Sequence, residues 1–266
     1  MTICQRRPPP GGTGRHIPLR NRGAAGEACG IKRTNALPTK VKICGITRVE
    51  DALAAVAAGA DALGFMFYAQ SPRHVSFSEA TLIARHVPPA VSRVGVFVNP
   101  TAGELLQAIA ECGLDTLQFH GEESPDFIAS LPLNELLPHR PIPGASPGRF
   151  EADGRPIRTI KAFRVHDAAS LAGLTAHPTD LWLLDAYVPG ARGGTGARFD
   201  WDLAVEAGRL GRGIVLAGGL TPENVAEAIR TVRPFAVDVS SGVEAAPGRK
   251  DPERIRAFIE AAKSVR

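Results

Sequence analysis

VKICGIT, residues 41–47, is a short apolar run that stops at a glycine, the pattern of a buried strand entering a loop. Runs of the same kind recur downstream: ALGFMF (62–67), RVGVFV (93–98), TLQFH (116–120), RTIKAF (158–163), LWLLDA (181–186), GIVLAG (213–218) and FAVDVS (235–240). Amphipathic segments such as VEDALAAVAAG and TAGELLQAIAECG lie between them. TPENVAEAIRTV and DPERIRAFIEAAKSV open with a capping residue and then a proline at the first helical position. Eight strands, each followed by a helix, imply right-handed βαβ units and a parallel sheet. Over about 225 residues they predict a closed (β/α)8 TIM barrel. The runner-up, an open doubly wound sheet, would typically carry a Gly-rich dinucleotide turn after its first strand, and CGITRVEDA is not one.

The first forty residues stand outside this rhythm. They hold eight Lys and Arg against the single acid Glu27, with five Pro and six Gly. Such a segment cannot bury enough surface to offset the entropy of ordering it. Three readings compete: a disordered tail or a translation start assigned too far upstream, an organelle-targeting segment, and a nucleic-acid-binding arm. The first is favoured, and residues 1–40 are excluded from the barrel, assigned to 41–266. The chain's +4 less the tail's +7 leaves −3 for residues 41–266, so the basic overall balance is no argument for nucleic-acid binding by the body. A Pro/Gly-rich stretch at 133–156 is too long for an ordinary helix-to-strand connection and reads as an insertion on the face opposite the active site. The four cysteines form no CxxC or Cys/His pairing, so neither zinc nor a disulfide framework is expected. No apolar run approaches membrane-spanning length. The default expectation is a reduced, soluble, cytoplasmic protein of enzyme size.

Alternation along the strands sorts inward from outward residues. Lys42 and Cys44 share one parity against Val41 and Ile43; Gln118 and His120 oppose Leu117 and Phe119. Leu183 and Asp185 oppose Trp182 and Leu184, and Asp238 and Ser240 oppose Val237 and Val239. Each polar parity ends at the C-terminal mouth. Free cysteine is ordinarily core filling, but Cys44 shares that polar parity. Three glycine-rich segments reach the same mouth: PGARGGTGARF (189–199), AGGLTPENV (217–225) and VSSGVE (239–244). Backbone N–H groups in such loops converge on anions, and barrels often bind phosphate after strands seven and eight.

From Val41 onward the chain resembles phosphoribosylanthranilate isomerase, an enzyme family of tryptophan biosynthesis. KICGIT, ADALGFMFYAQSPRHVS, VGVFVNP, LQFHGEE, IKAFRV, LLDA, GGTGARFDW, LAGGLTPENV and DVSSGVE carry the resemblance, in order, across nearly all of the body. It implies an Amadori rearrangement of N-(5-phosphoribosyl)anthranilate to 1-(2-carboxyphenylamino)-1-deoxyribulose 5-phosphate, with no metal and no organic cofactor. Cys44 would then be the general base, Asp185 the general acid, and Arg73 the group holding the anthranilate carboxylate. Gly193, Gly194, Gly196, Gly218, Gly219, Ser240, Ser241 and Gly242 would hold the phosphate. His120 is expected to be a hydrogen-bonded barrel histidine, and Asp238 to support Cys44 or the phosphate loop. Asp185 has to arrive protonated, which calls for a secluded site. The Cys44 thiol, ordinarily at about 8.5, has to ionise near neutrality, and positive potential from Lys42 or the phosphate-side N–H groups is the expected means.

Rival functions fit less well. A metal-dependent epimerase would gather His and acidic ligands at several strand ends, where only His120 qualifies. An indole-forming lyase would place a lysine or glutamate at the catalytic mouth. A phosphate-binding module without activity would have lost the acid or the base. The expected partner is the small-molecule substrate, with no nucleic acid and no membrane; monomer and homodimer stay open.

Overall fold

The computed structural model describes residues 38–133, 139–141, 150–152, 156–186 and 201–265. Eight parallel strands close into a barrel: β1 (Lys40–Cys44), β2 (Ala62–Met66), β3 (Ser92–Phe97), β4 (Thr116–Phe119), β5 (Arg158–Val165), β6 (Leu181–Ala186), β7 (Gly213–Leu216) and β8 (Ala236–Val239). Each pairs with its neighbours in chain order, and β1 closes the ring on β8 with Lys42 opposite Asp238. The α-helices are α1 (Val49–Ala58), α2 (Phe77–Ala84), α3 (Ala102–Cys112), α4 (Pro125–Ser130), α5 (Trp201–Gly208), α6 (Val225–Val232) and α7 (Pro252–Lys263).

The alternation read from the sequence separates two cores. Outward Val41, Ile43, Leu117, Phe119, Trp182, Leu184, Val237 and Val239 join the buried layer beneath the helices. Inward Val94, Ile160, Ala162, Leu183, Val215 and Ala236 form a second cluster on the barrel axis. Burying each large apolar side chain contributes about 1.5–3 kcal/mol, so both layers hold the strands in one register.

Local chemistry sets the helix ends. Ser76 with Glu79 and Thr101 with Glu104 form capping boxes at α2 and α3. Asp251 accepts from the N–H groups of Glu253 and Arg254, ahead of Pro252 at the first position of α7.

Two expectations need correction. After β5 there is no α-helix but two 3-10 turns, Ala168–Leu171 and Leu174–Ala176. Asp167 caps the first turn through Ser170, and Gly173 and Pro178 leave no uninterrupted run for a longer helix. In TPENV the cap is not Thr221: α6 begins at Val225, after Asn224. The Asn224 side chain accepts from Thr221 N–H and donates to the Gly219 carbonyl, closing a turn where the helix was expected to start. Within the 133–156 stretch, 139–141 pair antiparallel with 150–152.

Candidate active site

The strand ends open on a cavity of about 790 Å³ at the C-terminal mouth. Cys44 (β1), Arg73 (after β2), His120 (after β4), Asp185 (β6) and Asp238 (β8) all line it. So do Gly218, Gly219, Ser240, Ser241 and Gly242, whereas Gly193, Gly194 and Gly196 lie outside the described residues. Gly218 and Gly219 have φ of 80° and 64°, the left-handed region that glycine adopts without strain. At Gly242 a Cβ would lie 2.0 Å from the Leu220 carbonyl oxygen, so the loops after β7 and β8 pack backbone to backbone.

The thiol is tightly enclosed. Cys44 is 6 % exposed, and a Cβ on Gly64 of the adjacent strand would lie 2.8 Å from its sulfur. Below it, Lys42 Nζ donates to Asp238 Oδ1 at 2.9 Å, both side chains buried. Burial pushes the Cys44 thiol above its ordinary value; Lys42 pulls down, Asp238 pushes up and Lys250 pulls down, and burial prevails. Lys42 does pull the thiol down, as expected, but burial outweighs it, so a thiol near neutrality is corrected to one held above its ordinary value. Burial alone would lower Lys42, yet Asp238 and Cys44 hold it above the usual range.

Arg73 is not open on all sides. Its Nε and Nη2 donate to Glu244 Oε1 and Oε2 at 2.8 and 2.7 Å, a side-on bidentate pair. Glu244 also accepts from Lys250 Nζ at 2.8 Å, and that ammonium donates to the Ser240 carbonyl at 3.1 Å. Burial would raise Glu244, but Arg73 and Lys250 hold it below the usual carboxylate range. Burial lowers Lys250 despite Glu244 beside it. Sequence reasoning missed both residues as contributors to the site. Glu244 ended a quoted motif but lay past the strand whose parity could orient it, and Lys250, in PGRKDPE, reads as a surface loop.

Across the cavity the packing is looser. Asp185 Oδ2 lies 3.7 Å from His120 Nε2, with side chains 33 % and 26 % exposed. A secluded Asp185 is thus not what the described residues show; the segment that follows it, 187–200, lies outside them. Gln118 Nε2 lies 3.0 Å from His120 Nδ1, which leaves Nε2 as the ring nitrogen facing Asp185. Glu123, also unforeseen, accepts from Asn99 N–H, Gly121 N–H and Lys161 Nζ, tying the loops after β3 and β4 to β5. Among the described residues no group of three or more His, Cys, Asp or Glu could hold a metal ion.

A parallel eight-stranded barrel with a thiol and a carboxyl group facing one cavity at its C-terminal mouth defines a (β/α)8-barrel enzyme equipped for proton transfer. A family profile described as N-(5'phosphoribosyl)anthranilate (PRA) isomerase matches residues 41–137 and 150–261. The N-(5'-phosphoribosyl)anthranilate isomerase of Citrifermentans bemidjiense is 51 % identical over 227 residues, covering 85 % of this chain and 98 % of that protein. The crystal structure of phosphoribosyl anthranilate isomerase from Thermotoga maritima superposes with a TM-score of 0.72 at 41 % identity, over 85 % of this chain and 99 % of the other. A further isomerase structure, in complex with reduced 1-(o-carboxyphenylamino)-1-deoxyribulose 5-phosphate, has a TM-score of 0.69 at 39 % identity over the same shares. This chain belongs to the N-(5'-phosphoribosyl)anthranilate isomerase family.

Proposed function

We propose that Asp185 and Cys44 are the acid and base with which this chain performs its reaction. As a member of the family it isomerises N-(5'-phosphoribosyl)anthranilate in tryptophan biosynthesis. Asp185, protonated, delivers its proton to the ring oxygen; the C1–O bond breaks and the nitrogen lone pair forms a C=N bond. The Cys44 thiolate then takes the proton from C2, and the C–H electrons form a C1=C2 bond as the C=N electrons return to nitrogen. The enolamine becomes the ketone when C1 gains a proton and the C2 hydroxyl loses one. That leaves Asp185 a carboxylate and Cys44 a thiol, both to be reset by proton exchange.

The observation carrying this reading is that the two groups line one cavity from strands that are not neighbours, with β7 and β8 between β6 and β1. A sugar bound between them meets one group on each side. Gly218, Gly219, Ser240, Ser241 and Gly242, with Gly193, Gly194 and Gly196, hold the phosphate. Arg73 holds the anthranilate carboxylate, His120 supports Asp185, and Asp238 supports Cys44 through Lys42. The reaction takes place in the cytoplasm, where an unpaired thiol stays reduced. The test is fluorescence decay on phosphoribosylanthranilate with Cys44→Ala and Asp185→Asn in parallel. Each should lose most of its turnover, and a near-native rate in either overturns the role given to that residue.

A further inference from the structure

We propose that Glu244 is a positioning residue that sets which edge of Arg73 faces the cavity, and so makes the enzyme selective for an aminoaldose bearing an aryl carboxylate. The inference rests on the reading that Arg73 holds the anthranilate carboxylate. A guanidinium offers its donors along planar edges, and the Nε/Nη2 edge of Arg73 is taken by Glu244 at 2.8 and 2.7 Å. What remains is the Nη1/Nη2 end, a second fork suited to another carboxylate. Arg73 thereby bridges two carboxylates, one built into the protein and one arriving with the substrate.

The charges around this bridge support that division of roles. Glu244 answers two cations, Arg73 and Lys250, so the three side chains together carry a surplus positive charge. An incoming carboxylate balances it. Glu244 itself is fixed: it is buried, it accepts from Lys250 Nζ, and Lys250 N–H is anchored to Asp51 Oδ2 at 3.0 Å. The stem of Arg73 is confined as well. Gly45, at φ 74°, would carry a Cβ only 2.6 Å from Arg73 Cδ, so the missing side chain at the end of β1 makes the passage for the arginine. Gly248, at φ 76°, similarly lies against the Pro72 carbonyl, just before Arg73.

The experiment compares two substrates, phosphoribosylanthranilate and its aniline counterpart lacking the carboxylate, each followed by chromatography, in wild type, Glu244→Gln, Glu244→Asp, Arg73→Ala and Arg73→Ala/Glu244→Gln. Wild type should prefer the carboxylated substrate. Glu244→Gln, which keeps the size but not the charge, should lose about tenfold of that preference, mainly through KM, and leave the aniline counterpart nearly unaffected. Glu244→Asp should recover part of it, and the double variant should be no worse than Arg73→Ala. An equal loss on both substrates would mean a purely structural Glu244, and a lower KM in Glu244→Gln would mean that Glu244 competes with the substrate; either overturns the proposal. If Arg73→Ala retains the preference, the carboxylate role of Arg73 fails. If Arg73→Ala loses it while Glu244→Gln keeps it, the role of Glu244 alone fails.

Discussion

On the β1–β8 side of the cavity a thiol is packed against Gly64 above a buried Lys42–Asp238 pair, with Arg73, Glu244 and Lys250 close by. On the β4–β6 side Asp185 is a third exposed and meets His120 at 3.7 Å, beside a unit whose helix is reduced to 3-10 turns. The difference suits the two tasks proposed for these groups. Burial disfavours a thiolate, so a buried base needs charges fixed around it. An acid that gives up a proton every turnover must recover one, and partial exposure gives it access to water.

The sharpest way to break the comparison is to remove the two groups themselves. Cys44→Ala and Asp185→Asn should each cost about 10²–10⁴-fold in kcat, read by fluorescence decay. If only one did, the two sides would not share one reaction.

Stability separates the sides next. Lys42→Met leaves Asp238 as a buried, unanswered charge and should cost about 3–5 kcal/mol in urea unfolding. Asp185→Asn weakens only a long, partly exposed contact to His120 and should cost under about 1 kcal/mol. Equal losses would erase the contrast in packing. The same lysine bears on pH. Because the thiol is held above its ordinary value, kcat/KM should rise with pH through neutrality into the alkaline range as the thiolate forms. Removing the Lys42 cation should move that rise to higher pH; a rise unmoved by Lys42→Met would detach the thiol from its surroundings.

Two glycines give the smallest test. Gly64→Ala brings a methyl within 2.8 Å of the Cys44 sulfur and should destabilise by about 1–3 kcal/mol. Gly173→Ala, between the two 3-10 turns, meets nothing within 4 Å and has no positive φ, so it should be neutral or stabilise by up to about 1 kcal/mol. Thermal melts of the pair check this.

How much was legible in the sequence follows the same division. Strand alternation is a local signal, and it placed Cys44, Asp185, Asp238 and His120 at one mouth because a two-residue period fixes the face. It had no hold on Glu244 or Lys250, which face each other in a two-stranded hairpin beyond the end of β8, whose strands of three and two residues are too short to show a period. Nor could it show that Glu244 occupies one edge of Arg73, a contact spanning 171 residues. The Asn224 turn was not legible because Thr-Pro-Glu is a sound helix start on its own, and only the structure shows the Asn224 side chain accepting from the Thr221 N–H. The sign of the Cys44 shift was not legible because it is decided by how deeply the thiol is buried, which strand parity does not report.

The empty volume that Gly64 leaves for sulfur has a consequence for how this barrel could change. A longer base at position 44 gains no room toward β2, where Gly64 has no side chain left to trim, and has to extend into the cavity instead. The carboxyl at 185 is a third exposed, so its exchange disturbs less packing. Position 185 is therefore the more permissive of the two for new chemistry on this scaffold.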